Sequence, residues 1–168
     1  MKKPAFTLAE IAVVAAVLST VSVGTYQAVK RGKQAECLHN LKQIHQAVAM
    51  FAMDHGGFPS AKFFPSTAGD PRGIHTMLKS YGGAAEVFFC PSVPSELNTY
   101  GTNYIWNDAQ NGRDAAGASS ATWLMTEMTA VNAGIPSPHT AGYGILYADG
   151  HAAVGPRVSV GEAPAARP

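Results

Sequence analysis

Charged side chains are scarce in this sequence. Asp, Glu, Lys and Arg make up 14% of the 168 residues, whereas hydrophobic residues make up 46%. The 12 basic and 11 acidic side chains leave a formal net charge of +1, which excludes the strongly basic composition typical of nucleic-acid-binding domains. No nucleic-acid partner is therefore expected. The length suits one modest domain rather than two.

Cysteine is also rare. The two cysteines, Cys37 and Cys90, are far apart and form no Cys-x-x-Cys pair. A structural zinc site usually takes four ligands in closely spaced pairs, so these positions do not predict one. In an oxidising compartment, a disulfide between them is expected to close a loop of roughly 50 residues and add about 3–4 kcal/mol of stability. Two buried free thiols are the alternative.

Motifs of catalysis are absent. The sequence contains no Gly-x-Ser-x-Gly, His-Glu-x-x-His or P-loop pattern, and these patterns mark a serine nucleophile, a zinc protease or a phosphate-binding loop. Glu127 with His75 or His139 offers an acid and a base, but no nucleophile motif accompanies either pair. The sequence therefore predicts a protein that is not an enzyme.

The sequence does contain one long apolar run near its start. Residues 6–29 read FTLAEIAVVAAVLSTVSVGTYQAV, with a single charged side chain, Glu10. About 20 apolar helical residues span a bilayer core, so the run is predicted to cross a membrane. One alternative is a plain anchor. The other is a cleavable secretory signal, with Lys2 and Lys3 as its basic region and a cut near Ser22-Val23-Gly24.

Glu10 separates these alternatives. A carboxylate in a membrane segment costs about 2.5–3.5 kcal/mol at mid-depth and less near the interface, and neither a signal peptide nor a simple anchor has a use for it. A positive partner would offset much of that cost. The helix dipole offsets a smaller part, because Glu10 lies near the predicted helix start.

The start of the apolar run resembles the cleavage signal of prepilins. The resemblance rests on a short basic leader followed by Ala5-Phe6-Thr7-Leu8-Ala9-Glu10. In that family, a peptidase cuts before a Phe, which becomes the methylated N-terminus, and a Glu stands fifth in the mature chain. The resemblance implies a leader of residues 1–5, a cut between Ala5 and Phe6, and pairing of Glu10 with the amine of Phe6 in a neighbouring subunit. The family prefers Gly where this chain has Ala5, so slower cleavage is expected.

Beyond the apolar run, the helix is predicted to continue to about residue 55. Apolar residues recur at steps of three and four, and Gly56-Gly57-Phe58-Pro59 follows as a stop signal. A short helix is predicted over residues 75–81. Strands are predicted over residues 87–89, 100–106, 122–126, 142–148 and 152–154. A two-residue hairpin turn at Asp149-Gly150 joins the last two strands, and residues 156–168 are predicted to be a mobile tail.

Further landmarks resemble a pseudopilin-like group that is abundant in planctomycetes. They are the segment 35–44 around Cys37, then Gly57-Phe58-Pro59, Phe89-Cys90-Pro91-Ser92, and His139 followed after nine residues by Asp149-Gly150. The resemblance implies an α+β, type IV pilin-like fold in which one long N-terminal helix, about residues 6–55, packs on a small antiparallel sheet. It also implies a Cys37–Cys90 bridge.

The function implied is that of a structural subunit of a type II secretion pseudopilus or type IV pilus-like filament. Residues 6–29 would form the membrane and filament core, and residues 30–155 the periplasmic domain. The expected location is the inner membrane, single-pass, with this domain in the periplasm or on an extracellular filament. Expected partners are other copies of the chain, prepilin peptidase, other pseudopilins and the inner-membrane assembly platform. A membrane-anchored periplasmic binding module and a secreted metal-dependent enzyme are the alternatives.

His139, Asp149 and His151 also suggest a metal site, because three protein ligands and a water are typical of catalytic zinc. Asp149 and His151, however, flank Gly150 in a predicted turn, where side chains point in alternating directions. We therefore expect Asp149 to favour the turn conformation and His139 to hydrogen-bond nearby main chain. Some major pseudopilins hold calcium in this region, so Asp149 with loop carbonyls is a minor calcium candidate. No other cofactor is expected.

Overall fold

One long helix and a small sheet make up the regular structure, so the fold is α+β. The computed structural model describes residues 7–159, without the side chains of residues 16–23. Its helices are α1 (Leu8–His55) and α2 (Ile74–Met77), and its strands are β1 (Tyr104–Trp106), β2 (Trp123–Glu127), β3 (Tyr143–Tyr147) and β4 (Ala152–Gly155). Short 3-10 helices cover Lys79–Tyr81, Ala85–Phe88, Ser95–Tyr100, Asp108–Gln110 and Met128–Val131.

Parts of the predicted terminal features lie outside the described residues. These are the leader, the cleavage site at Ala5 and Phe6, and the tail from residue 160 onwards. At the centre of the predicted membrane span, residues 16–23, the side chains are not described. Among the residues that are described, no helix has the length and apolar character needed to cross a membrane.

The chain divides into two compact units, residues 1–32 and 33–168. In the first unit, the large apolar side chains of α1 that the structure describes are exposed. Leu8 is 87% exposed, and Ile11, Val13 and Val14 are each exposed over more than half of their surface. This part of α1 therefore presents apolar surface that its own chain does not cover.

In the second unit, one face of α1 is buried. The side chains with no exposed surface are Cys37, Leu41, Ile44 and Val48, which follow the predicted steps of three and four. The helix also ends where the sequence predicts. Gly56 has a left-handed φ of 75°, and its N–H group donates to the carbonyl oxygen of Ala52 at 2.8 Å, as is common at helix C-termini.

The four strands form one antiparallel sheet in sequence order, β1-β2-β3-β4. Leu124 and Met125 of β2 and Leu146 of β3 belong to the same buried cluster as the α1 stripe. The second part of α1 therefore covers the sheet, and the hydrophobic core lies between them.

The strand predicted over residues 87–89 is wrong. A 3-10 helix covers Ala85–Phe88, and it buries Val87 and Phe88. A short apolar run has no periodicity that separates a strand from a buried turn. The strand predicted over residues 100–106 starts later than expected, at Tyr104, because the preceding 3-10 helix ends at Gly101 with a φ of 81°.

The helix predicted over residues 75–81 is split in two. α2 ends at Met77, and a 3-10 helix then covers Lys79–Tyr81. Gly82 follows with a φ of 82°. Ile74 and Leu78 both reach the core.

The β3–β4 hairpin turns over three residues rather than the two predicted. The N–H group of Tyr147 donates to the carbonyl oxygen of His151 at 3.0 Å, which leaves Ala148, Asp149 and Gly150 as the loop. Gly150 has a φ of 89°, whereas Asp149 does not have a positive φ. A three-residue loop with a left-handed glycine in its last position is a common hairpin connection. The Asp149-Gly150 pair therefore correctly predicts a hairpin, but not its two-residue turn.

A buried carboxylate holds the loop between α1 and α2. Asp70 is 5% exposed, and its Oδ2 atom lies 2.6 Å from Nζ of Lys62. The N–H groups of Ser66 and Arg72 also donate to this carboxylate, at 2.9 and 3.0 Å. The Lys62 contact and the Ser66 hydrogen bond hold the pKa of Asp70 well below its usual value. The charged form of Asp70 is therefore part of the folded loop.

Candidate functional site

Four side chains from separate parts of the second unit meet in its core. They are Cys37 on α1, Cys90 after the second 3-10 helix, Glu127 at the end of β2, and His139 before β3. All four are buried, and their sulfur, carboxylate and imidazole atoms lie within 4.8 Å of one another. In the described part of the chain, this is the one group of three or more His, Cys, Asp or Glu residues close enough to hold a metal ion. We call it the buried cluster.

Cys37 and Cys90 form a disulfide. The resemblance to pseudopilins implied this bridge, and the prediction is confirmed; the alternative of two free thiols is wrong. The bridge joins residues that are 53 positions apart, and both side chains are almost fully buried, at 0% and 1% exposure. It ties α1 to the segment that precedes β1.

Amide side chains hold the backbone around Cys90 in place. Asn103 brackets this residue: its Oδ1 atom accepts the N–H group of Cys90 at 2.9 Å, and its Nδ2 atom donates to the Cys90 carbonyl oxygen at 3.2 Å. Asn40 on α1 donates to the carbonyl oxygen of Phe89 at 3.0 Å. Three hydrogen bonds therefore position Cys90 independently of its disulfide.

Glu127 and His139 form a buried pair beside the disulfide. The Nε2 atom of His139 lies 3.0 Å from Oε1 of Glu127 and 3.7 Å from the Sγ atom of Cys90. The second carboxylate oxygen, Oε2, accepts the N–H group of Gly144 at 2.5 Å. Glu127 has no exposed surface and His139 is 5% exposed, so the carboxylate relies on these two protein donors instead of water.

Sheet register explains why Glu127 points into the core. It is the last residue of β2 and stands opposite Tyr104 of β1. The Tyr104 hydroxyl donates to the carbonyl oxygen of Cys37 at 3.4 Å. The start of β1 and the end of β2 therefore both lie close to the disulfide. Burial, together with the negative charge of Glu127, raises the pKa of Tyr104 well above its usual value. Tyr104 therefore stays a neutral hydrogen-bond donor.

The His-x9-Asp-Gly motif spans the whole of β3, with one anchor at each end. At one end, His139 contacts Glu127 in the buried cluster. At the other end, Gly150 lies against α1, where a Cβ atom would come within 2.8 Å of the His45 ring. His45 also contacts the carbonyl oxygen of Ala148 through Nε2 at 3.1 Å. The spacing therefore matches one contact with β2, through Glu127, and one contact with α1, through His45.

Asp149 and His151 do approach each other, contrary to the expectation that their side chains diverge. Oδ1 of Asp149 accepts the N–H group of His151 at 3.1 Å and lies 2.5 Å from its Nδ1 atom. The backbone hydrogen bond and the contact with the His151 side chain lower the pKa of Asp149. His151 stacks on Tyr147, with ring centroids 4.1 Å apart, and these contacts stabilise the hairpin.

The three-ligand metal site considered for His139, Asp149 and His151 does not assemble. His139 is in the core, whereas the side chains of Asp149 and His151 are 42% and 50% exposed on the turn. Asp149 belongs to no metal-capable group among the described residues. In the described part of the chain, the fold therefore brings no second carboxylate to Asp149 that would help it to bind calcium.

Glu10 has a partner within its own chain. Its Oε2 atom accepts the N–H group and the hydroxyl of Thr7, both at 2.8 Å, and its own N–H group donates to Oγ1 of Thr7 at 3.3 Å. This reciprocal arrangement at the start of α1 is a capping box. The Glu10 carboxylate therefore has hydrogen-bond donors within its own chain.

The acid–base pairs considered from the sequence have different outcomes. Glu127 does meet His139, but His75 instead contacts the carbonyl oxygen of Ala68 at 2.8 Å. In a catalytic triad, the two imidazole nitrogens separately face the nucleophile and the acid. Here the single atom Nε2 faces both Glu127 and Cys90. The buried cluster therefore lacks the geometry of a nucleophilic relay. Its four residues are all buried, as is typical of a structural site.

Comparisons with known proteins identify no relative of this chain. No protein-family model, curated protein or solved structure matches it. What the chain does must therefore be inferred from its own residues.

Proposed function

We propose that this chain is a structural subunit, not an enzyme, of a type II secretion pseudopilus or type IV pilus-like filament. A prepilin peptidase cuts it before Phe6, and the mature chain assembles through its N-terminal helix. The observation that carries the proposal is the prepilin-like segment of residues 5–10, which overlaps the start of a helix that runs from Leu8 to His55.

The exposed apolar surface of the first unit supports this proposal. Leu8, Ile11, Val13 and Val14 are solvent-exposed in the isolated chain, and a contiguous apolar surface of this kind usually marks an interaction site. The inner membrane covers this surface before assembly, and the helices of neighbouring copies cover it in the filament. The second unit then lies in the periplasm or on an extracellular filament.

The second unit supports the finer proposal of a type IV pilin-like fold. A helix face covers a four-stranded antiparallel sheet, and a disulfide ties that helix to the chain before β1. Prepilin peptidase, other pseudopilins and the inner-membrane assembly platform are the partners that this function requires.

A second candidate is a membrane-anchored periplasmic binding module. The capping box favours it, because Thr7 satisfies the Glu10 carboxylate without a neighbouring subunit. In that case Glu10 serves only to start α1, and the chain forms no filament.

Replacement of Glu10 by Gln separates the two roles of this residue. Gln retains the capping box, since Gln serves as well as Glu at this position, but it removes the charge that pairs with the amine of Phe6. If filament assembly depends on this charge, both Glu10→Gln and Glu10→Ala are expected to abolish it. Membrane insertion is expected to be unchanged in both variants. The measurement is the yield of sheared filaments from cells that carry the assembly machinery, alongside membrane fractionation.

Glu36→Gln is the matched control, because Glu36 is an exposed residue of the same helix and undergoes the same change of charge. It is expected to give normal filaments. If Glu10→Gln also gives normal filaments while Glu10→Ala does not, then Glu10 acts as a helix cap. If the wild-type chain forms no filaments, the binding-module candidate replaces the proposal.

Intact mass of the chain extracted from native membranes tests the processing step directly. A chain that begins at methylated Phe6 is expected. A chain that retains Met1 would make the protein a plain anchored domain, and one that begins near Thr25 would make it secreted. Either of these outcomes contradicts the proposal.

A further inference from the structure

We propose that the buried cluster binds a zinc ion when the Cys37–Cys90 disulfide is reduced, with Cys37, Cys90, His139 and Glu127 as the four ligands. This site is independent of the filament function. It concerns the state of the chain before the bridge forms or after it is opened, and it assigns a role to Glu127 and His139, which the disulfide itself does not need.

The number and chemistry of the groups suit zinc. Structural zinc sites are tetrahedral, with four ligands drawn from Cys thiolates, His nitrogens and carboxylate oxygens. The buried cluster offers two sulfurs, one imidazole and one carboxylate, with all ligand atoms within 4.8 Å of one another. Thiolates and imidazole favour zinc over magnesium or calcium, which take oxygen ligands.

The contacts around His139 bring three of the four ligand atoms together. Its Nε2 atom lies 3.0 Å from Oε1 of Glu127 and 3.7 Å from Sγ of Cys90. In the disulfide form, Nε2 of His139 and Oε1 of Glu127 are within hydrogen-bond distance of each other. In the reduced form, a zinc ion would be bound between these two atoms and the cysteine sulfurs, and the proton on Nε2 of His139 would pass to Nδ1, so that Nε2 is free to act as a ligand.

Surrounding hydrogen bonds keep the ligands in place without the disulfide. Gly144 holds Oε2 of Glu127, which leaves Oε1 directed at the cluster. Asn103 holds both backbone polar groups of Cys90. Outer contacts of this kind fix the orientation of metal ligands and raise affinity. Opening of the disulfide therefore leaves the four groups close together.

The redox change balances with a dithiol as the reductant. The S–S bond accepts two electrons and two protons from the dithiol, which becomes a disulfide, and Cys37 and Cys90 become thiols. Binding of zinc then releases the two thiol protons, because the thiolate is the ligand. A surface depression of about 720 Å³, lined in part by Glu36, Glu86 and Cys90, lies next to the Cys90 side of the cluster.

The consequence is a cross-link between α1 and the segment after the second 3-10 helix in both redox states. A newly synthesised chain carries free thiols, and zinc supplies the link before oxidation replaces it with the covalent bond. An external disulfide then oxidises the two thiolates: it accepts two electrons and, with two protons from solvent, becomes a dithiol, while the Cys37–Cys90 bond forms. The metal is released because a disulfide sulfur is not a thiolate ligand.

Cobalt binding to the full chain tests the site. The protein is purified in detergent, freed of metal with a chelator, and reduced anaerobically with a phosphine. Addition of Co²⁺ is expected to give thiolate-to-cobalt charge-transfer bands and the d–d bands of a tetrahedral ion, at one metal per chain. Zinc is expected to displace the cobalt. The oxidised chain is expected to give neither set of bands.

Variants identify the ligands. Glu127→Gln and His139→Ala are expected to lower zinc affinity at least tenfold, a loss on the scale seen even when only outer contacts of a metal site are removed. Replacement of both cysteines by Ser abolishes the charge-transfer bands. His151→Ala is the matched control, because His151 is an exposed histidine outside the cluster, and it leaves affinity unchanged.

Several results would overturn the proposal. One is a reduced chain that stays folded by circular dichroism and binds no zinc. Another is a reduced chain that unfolds and is not refolded by zinc. Equal affinity in wild type, Glu127→Gln and His139→Ala would place any bound metal at another site, and so would binding that survives loss of both cysteines.

Discussion

Glu127 lies so close to Gly144 that the glycine has no room for a side chain. A Cβ atom at Gly144 would come within 2.5 Å of Oε1 of Glu127, and the Gly144 N–H group donates to the other oxygen of the same carboxylate. The backbone of β3 thereby supplies one of the two donors that stabilise a fully buried carboxylate, and His139 supplies the other. The stability of the second unit should depend on this arrangement.

Removal of the Glu127 carboxylate is expected to be strongly destabilising. Glu127→Ala leaves the Gly144 N–H group and His139 without their acceptor, and the loss of one partner of a buried pair costs about 3–5 kcal/mol. Glu127→Gln keeps an acceptor for Gly144, so a smaller loss of about 1–2 kcal/mol is expected. Urea denaturation of the full chain, with the disulfide intact, measures both. Glu86→Gln, at an exposed position, serves as the control, and equal losses in Ala and Gln variants would argue against this account.

Gly150→Ala is expected to destabilise the hairpin and its contact with α1. The φ of 89° at Gly150 is unfavourable for Ala by about 1–2 kcal/mol, and the new Cβ atom meets the His45 ring. The His45→Ala/Gly150→Ala double variant should recover part of the loss, because only the steric part depends on His45. Thermal unfolding of the two single variants and the double variant gives the coupling. Gly69→Ala, where a Cβ atom meets nothing within 4 Å, is the control, and strict additivity would contradict the contact.

Loss of the disulfide is expected to lower the free energy of unfolding by about 3–4 kcal/mol. The double variant Cys37→Ala/Cys90→Ala avoids a lone buried thiol and tests this value in the presence of a chelator. Wild type under reducing, metal-free conditions should lose a similar amount. Unchanged denaturation midpoints in oxidised and reduced wild type would show that the bridge does not contribute to stability.

Asp70 is expected to make the fold sensitive to acid. Its pKa is lowered in the folded chain, chiefly by Lys62, from an ordinary value of 3.8, so the unfolded state binds its proton first as pH falls. The stabilising contribution is complete above about pH 5 and is lost progressively below about pH 4. Thermal unfolding between about pH 2.5 and 7 should show a shallower pH dependence for Asp70→Asn, with a lower melting temperature at neutral pH. Asp108→Asn, at an exposed position, is the control, and an unchanged slope in Asp70→Asn would contradict this assignment.

Local sequence signals predicted the elements that depend on neighbouring residues. The buried stripe of α1 follows from apolar residues at steps of three and four, and the end of the helix follows from Gly56. The three C-terminal strands were placed to within a few residues. The strand prediction over residues 87–89 is wrong because Val87 and Phe88 are buried in a 3-10 helix, and an apolar run this short has no periodicity that distinguishes the two structures.

The buried cluster was only partly predictable. Glu127 and His139 were named as one of two possible pairs, and Cys37 with Cys90 as a bridge, but no pattern in the sequence joins the two pairs. Their meeting depends on sheet register, which places Glu127 opposite Tyr104, and on the path of the loop before β3. The Thr7–Glu10 capping box, in contrast, has a local signature in the sequence, Thr-x-x-Glu before an apolar run.

The sequence by itself determined the helix, its apolar first part, most of the strands and the resemblance on which the filament proposal depends, because each of these is encoded in residues close together in the chain. Only the tertiary structure decided that Glu127, His139 and the Cys37–Cys90 disulfide share one buried site. The physical reason is that a buried carboxylate and imidazole are stabilised by partners brought from distant parts of the chain. Those partners come together only when α1 and the sheet enclose the core.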